Sequence, residues 1–352
     1  MERGNSPLSI EELRSVLFPD GAAARKPVYK PHVVPETPGS IKELFPNVSA
    51  AHAALRNFAK KDHSALRDAI ERKELPQEVL LGVQDWGNQP DQLDFREQIS
   101  QDEKKQIFNP AIEAMKSFAG QHGIALPDNL IQRVTILKQS TIFNISNTVD
   151  FNHHEDDIDG AFTILYSRLS FINDDLITLI SEVIGTTKED LIQMAGVHEL
   201  WHSVEYVELW QVNDIPPDEL TPVRRSGMVT SRPEGARVDY SPLAEGFTEY
   251  LTRETLRLLN KPLSSNSYKD ELEIIDILIG QIGLDPLIQA TFSKKGFRAL
   301  FNALEQRFGR GAFIKIGEAL MYDRGVFISK SREGNAPSAR YPTTKEFLQK
   351  EK

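Results

Sequence analysis

The stretch "GVHELWHSVEY", Gly196 to Tyr206, carries two histidines four residues apart with a glutamate directly after the first. Positions four apart on an α-helix stand one above the other, so His198 and His202 can offer their imidazoles to a single ion. Glu199 is rotated by about 100° from His198, which sets its carboxylate beside such an ion rather than on it. That is the arrangement for a base acting on a metal-activated water. The bland alternative is a helix that carries two hydrogen-bonded histidines. The frame of Met194, Ala195, Val197, Leu200, Trp201 and Val204 speaks against it. Two imidazoles and a carboxylate buried in that frame without a ligand would leave polar groups unsatisfied. Trp201 and Trp210 read as core residues of the same helix.

Outward from this stretch, Thr186 to Glu189 forms a capping box that opens the helix, which the pattern carries past 20 residues, to Trp210. Upstream, "IQRVTILKQ" alternates as a strand should. "GAFTILYSRLSFI" continues in the same way, with Phe162, Ile164 and Tyr166 on one face and Thr163, Leu165 and Ser167 on the other. Downstream, "RRSGMVTSRPEGARVDYS" reads as a hairpin turning around Glu234–Gly235. A second helix starts at Ser241 with Pro242 at its first position. Glu245 and Glu249 lie four apart on one face of it, and Gly246 removes a side chain next to Glu245, which permits a close helix approach. The chain is helical from about residue 265 to its end, with "FGRGAF", Phe308 to Phe313, as a helix–helix turn. Helices, then strands, then helices argue for an α+β fold.

Four regions follow: a Pro-rich extended arm over 1–48, a mostly helical region over 49–129, a catalytic core over 130–262 and a helical subdomain over 263–352. The arm opens with a short helix capped at Ser9, and either trails freely or lies across the body as an autoinhibitory strap. The loop "HHEDDIDG", His153 to Gly160, is a solvated acidic turn or a site for a second ion; it lacks the full calcium-loop pattern.

The 352 residues carry a formal net charge of -10. An acidic surface repels phosphate backbones and anionic bilayers, so nucleic acid and membrane are excluded as partners. With no cysteine in the chain, thiol nucleophiles and cysteine-ligated metals are excluded too. No signal peptide or membrane-spanning run is read, and a cytoplasmic protein is expected.

"HELWH" followed by "AEGFTEYLT", with 42 residues between His202 and Glu245, resembles the gluzincin metallopeptidases, which include thermolysin-like enzymes and zinc aminopeptidases. The likeness covers roughly residues 130–260. It implies a zincin-like catalytic domain, with a small mixed sheet, an edge strand and an active-site helix. It also implies one zinc ion per chain held by His198, His202 and Glu245, with Glu199 as general base and Glu249 as an outer carboxylate orienting a ligand histidine. "GAFTILYSRL" would be the edge strand that pairs with a peptide or protein substrate. Ala244 stands where the family often has asparagine, and the "GAMEN"-type element of the large aminopeptidases is missing, so no amino-terminal specificity is implied. Tyr240, Tyr322 and Arg237 are candidates for stabilising charge on the substrate carbonyl. Beside a zinc peptidase stand two rivals: a zinc hydrolase of a non-peptide amide, and a non-catalytic binding protein stabilised by zinc.

Overall fold

The computed structural model describes residues 97–350 apart from 140–141, 143–159, 165–168, 210–222, 231–239, 262–267, 295 and 333–339. The expected arm, the capped helix at Ser9, most of the first helical region, Trp210 and the acidic loop up to residue 159 lie outside the described residues. Among the described residues, ten helices and two three-stranded sheets make an α+β fold. No single helix among them is long and apolar enough to cross a membrane.

Two compact units divide the chain. One runs to Val204 and includes Leu251–Ser267; the other includes Glu205–Tyr250 and Tyr268–Lys352. In the first, helix α1 (Gln101–Gln121) begins at Ser100, whose hydroxyl accepts from Glu103 N at 3.2 Å. It buries Ile107, Phe108, Ala111, Met115 and Phe118 along one stripe. A short helix α2 (Leu130–Arg133) leads into strand β1 (Val134–Leu137). The segment read as one continuous strand is instead a pair, β2 (Ala161–Ile164) and β3 (Leu169–Asn173), joined antiparallel with Thr163 opposite Ser170. Alternating apolar residues fit either outcome, and the pairing of the two halves decides it. Strand β3 also pairs in parallel with β1, giving the order β1-β3-β2 with β2 at an edge.

Helix α3 (Asp174–Ile184) starts on Asn173, whose side chain accepts from Leu176 N at 3.1 Å, and ends on Gly185 at φ 70°. The helix bearing the two histidines, α4 (Lys188–Val204), begins one residue later than the capping box had it. The Thr187 hydroxyl accepts from Asp190 N at 3.2 Å and donates to the Asp190 carboxylate at 2.7 Å. It also ends earlier, after 17 residues, because Val207–Leu209 pairs as strand β4 instead of continuing the helix. Gly196 lets α1 approach: a Cβ there would stand 2.3 Å from the Phe108 ring. Gln193 also reaches across to donate to Ile107 O. The helix thus lies on β2, β3 and α1 together.

In the second unit, β4 pairs with β5 (Val223–Ser226), which turns into β6 (Val229–Thr230). The two strands turn at Gly227–Met228, where Gly227 sits at φ +49°, a conformation in which a side chain is strained; the expected turn at Glu234–Gly235 lies outside the described residues. Helix α5 (Ser241–Leu258) contributes its residues through Tyr250 here and the rest to the first unit. Gly246 does serve a close approach, to α6 (Lys269–Ile282): a Cβ would meet Glu271 O at 2.7 Å. Helices α7 (Asp285–Phe292), α8 (Gly296–Phe308), α9 (Ala312–Arg332) and α10 (Pro342–Lys350) complete the unit. Gly309 and Gly311, at φ 87° and 85°, form the expected turn between α8 and α9. The buried Glu305 carboxylate accepts from Gly311 N at 2.6 Å and Phe313 N at 2.9 Å, capping α9. Asp323 does the same for α10, accepting from Thr344 N at 2.8 Å and Thr343 N at 3.3 Å.

Candidate metal centre

His198 and His202 point their Nε2 atoms at each other's neighbourhood, 3.2 Å apart, with ring centroids 4.9 Å apart and tilted by 68°. Two nitrogens on one tetrahedral zinc, each bound at about 2.0–2.1 Å, stand roughly 3.3 Å from each other. The helix alone has therefore set the spacing of two ligands. A carboxylate oxygen of Glu245 completes the group: one ligand atom from each of the three residues lies within 4.8 Å of the others. His198 is buried, while His202 and Glu245 are half-buried. This group can hold a metal ion. Two imidazoles and a carboxylate, with no cysteine in the chain, are a donor set that suits zinc and leaves a coordination position for a further ligand.

Glu199, on the same turn as His198, is 7% exposed. Its Oε2 accepts from the Thr163 hydroxyl at 2.7 Å, and its backbone carbonyl lies 2.9 Å from the same hydroxyl. Ser170, opposite Thr163 in the hairpin, reaches Thr163 Oγ1 at 2.8 Å and Glu199 O at 3.2 Å. Two neighbouring strands thus grip both ends of one residue of the helix.

The rest of α4 is anchored as firmly. Trp201, fully buried, donates its indole N–H to Thr255 Oγ1 at 3.1 Å and meets the Phe118 ring edge-on at 6.0 Å. Its role as a core residue stands. Arg133 donates to Ser203 O at 2.7 Å at the C-terminal end of the helix, where a cation opposes the negative end of the dipole. Burial lowers the pKa of that guanidinium to about 10.

Of the remaining candidates, Glu249 is buried on α5, one turn beyond Glu245. Tyr240 does not present its hydroxyl to a substrate. The side chain is 2% exposed, stacks on Phe313 at 4.8 Å between centroids and donates to Phe313 O. Burial pushes its pKa well above the usual range. Tyr322 is 63% exposed on α9, and Arg237 lies outside the described residues.

Sequence reasoning missed Thr163, Ser170, Arg133 and Thr255. It also missed Glu205, a carboxylate only 2% exposed that accepts from Ser226 Oγ at 3.1 Å and Thr248 Oγ1 at 3.4 Å. The only local signal was a lone hydroxyl within each of the short apolar runs "AFTI" and "LSFI". Comparison with protein families, with curated proteins and with solved structures finds no match.

Proposed function

We propose that the chain is a zinc-dependent peptidase of the gluzincin type, with a zincin-like core formed by α4, α5 and the edge strand β2. The observation that carries this reading is the convergence of His198, His202 and Glu245 while Glu199 stands on the same helix as the two histidines. Bound by those three side chains, zinc supplies a Lewis acid to a substrate carbonyl and acidifies a neighbouring water. Glu199 takes the proton of the attacking water and delivers it to the departing amine nitrogen, so that the C–N bond breaks after the C–O bond has formed. Glu249 orients one ligand histidine from outside. Strand β2, at the edge of its sheet, lets an extended chain add by main-chain hydrogen bonds, which favours a peptide over a small amide.

Metal analysis of the purified protein tests the ligand set. About one zinc per chain, lost in Glu245→Ala, supports the assignment. Zinc that persists in Glu245→Ala and vanishes in Glu249→Ala would exchange the two carboxylates. Digestion of a peptide library tests the chemistry: cleavage that Glu199→Gln abolishes supports a peptidase. Turnover of a small amide with no peptide cleaved overturns that choice of substrate.

A further inference from the structure

We infer that Thr163, backed by Ser170, is the positioning residue for the base Glu199; this rests on the reading of Glu199 given above. A glutamate side chain has three rotatable bonds, and freezing them costs on the order of 1–2 kcal/mol. Something must hold the carboxylate where an attacking water can reach it. The short bond from Thr163 Oγ1 to Glu199 Oε2, 2.7 Å, is a hydroxyl-to-carboxylate contact inside a buried setting, where all three partners are at most 8% exposed. Such charge-assisted bonds are stronger than neutral ones.

Thr163 has one proton and three acceptors in reach, Glu199 Oε2, Glu199 O and Ser170 Oγ. The ionised carboxylate is the stronger acceptor, so it takes the Thr163 proton. Ser170 then donates in the same cluster, with Thr163 Oγ1 at 2.8 Å and Glu199 O at 3.2 Å as its acceptors. Thr163 and Ser170 are register partners on β2 and β3, so the strand pairing fixes the two oxygens relative to each other. A hydroxyl also accepts as well as donates. It therefore remains a partner after Glu199 has picked up the proton of the water, with its own proton turned to Glu199 O. Thr163 touches no substrate in this scheme and acts through Glu199 alone.

The test compares Thr163→Val, which keeps the shape and removes the hydroxyl, with Thr163→Ser, which keeps the hydroxyl. The probe is the best-cleaved member of a quenched-fluorescent peptide library. Thr163→Val is expected to lower kcat by about 10–100-fold, with KM and bound zinc near those of the wild type. Thr163→Ser is expected to recover most of the loss. A readout independent of turnover is a double-mutant cycle of Thr163→Val with Glu199→Ala, followed by melting of the metal-free protein, in which the two shifts should fail to add. A Thr163→Val enzyme with wild-type kcat, a serine variant as slow as the valine one, or additive shifts would each overturn the inference. If Thr163→Val does not fold, Thr163→Ala against Thr163→Ser makes the same comparison. Full activity in Glu199→Gln would instead remove the base itself. Loss in Glu199→Gln with none in Thr163→Val removes only the role of Thr163.

Discussion

The indole N–H of Trp201 and the hydroxyl of Thr255 meet at 3.1 Å, and Thr255 passes its own proton to Leu251 O at 2.8 Å. The direction of both bonds is therefore fixed. Trp201 lies between the two histidines on α4, and Thr255 lies ten residues beyond Glu245 on α5. Thr255→Val keeps the shape but leaves a buried N–H with no acceptor, a loss of about 1–3 kcal/mol. Denaturant melts should show that loss. Combined with Trp201→Phe, the double variant should lose less than the sum of the two single losses, because the orphaned donor is gone.

Glu199→Gln should retain zinc while turnover falls by about 10²–10⁴-fold. His198→Ala should behave differently and lose the metal and thermal stability together, since ligand binding favours the folded state. A chelator should lower the melting temperature of the wild type and leave that of His198→Ala unchanged. A chelator shift of equal size in both proteins would count against His198 as a ligand.

Gly246→Ala improves helix propensity by up to about 1 kcal/mol, yet the new Cβ would meet the backbone of Glu271 at 2.7 Å. Backbone cannot swing aside as a side chain can, so overpacking of about 1–3 kcal/mol wins. The variant should melt earlier than the wild type. Gly280 on α6, with nothing near its missing Cβ, is the control: Gly280→Ala should be neutral or stabilising.

Lys261 bonds to Asp190 at 2.5 Å, and with the Thr187 hydroxyl it holds that carboxyl below its ordinary pKa of 3.8. A depressed folded pKa gives stability that is full above the unfolded value and is lost as pH falls through the folded one. The stability gap between wild type and Lys261→Met should thus be complete at neutral pH and close in acid, below pH 3.8. Both partners are partly exposed, so the gap should also shrink with salt. Acid and salt series of denaturant melts check both signs.

The sequence made α4 and its three chemical residues legible because their geometry is local: a four-residue spacing on a helix needs no tertiary knowledge. Glu245 was legible through a second motif of the same local kind. Thr163 and Ser170 were not, since their meeting depends on strand register, and a strand-compatible pattern does not say where it folds back. The hairpin turn illustrates the same limit. The turn at Gly227 went unread because it depends on β5 pairing with both β4 and β6, and the β4 pairing comes from far off in sequence. Thr187 took the cap from Thr186 by one position, a choice tied to the Asp190 carboxylate and its bond to Lys261.

The carboxylates of Glu305 and Asp323 have a consequence for how the C-terminal helices come apart. Each helix start depends on an acid carried in the body of the helix before it, so α9 cannot begin cleanly without α8, nor α10 without α9. Fraying at the last helix would strip Asp323 of its donors in a place where only 3% of the residue sees water. The three helices are therefore bound to melt as one block, and amide exchange along them should slow and quicken in concert instead of grading toward the terminus.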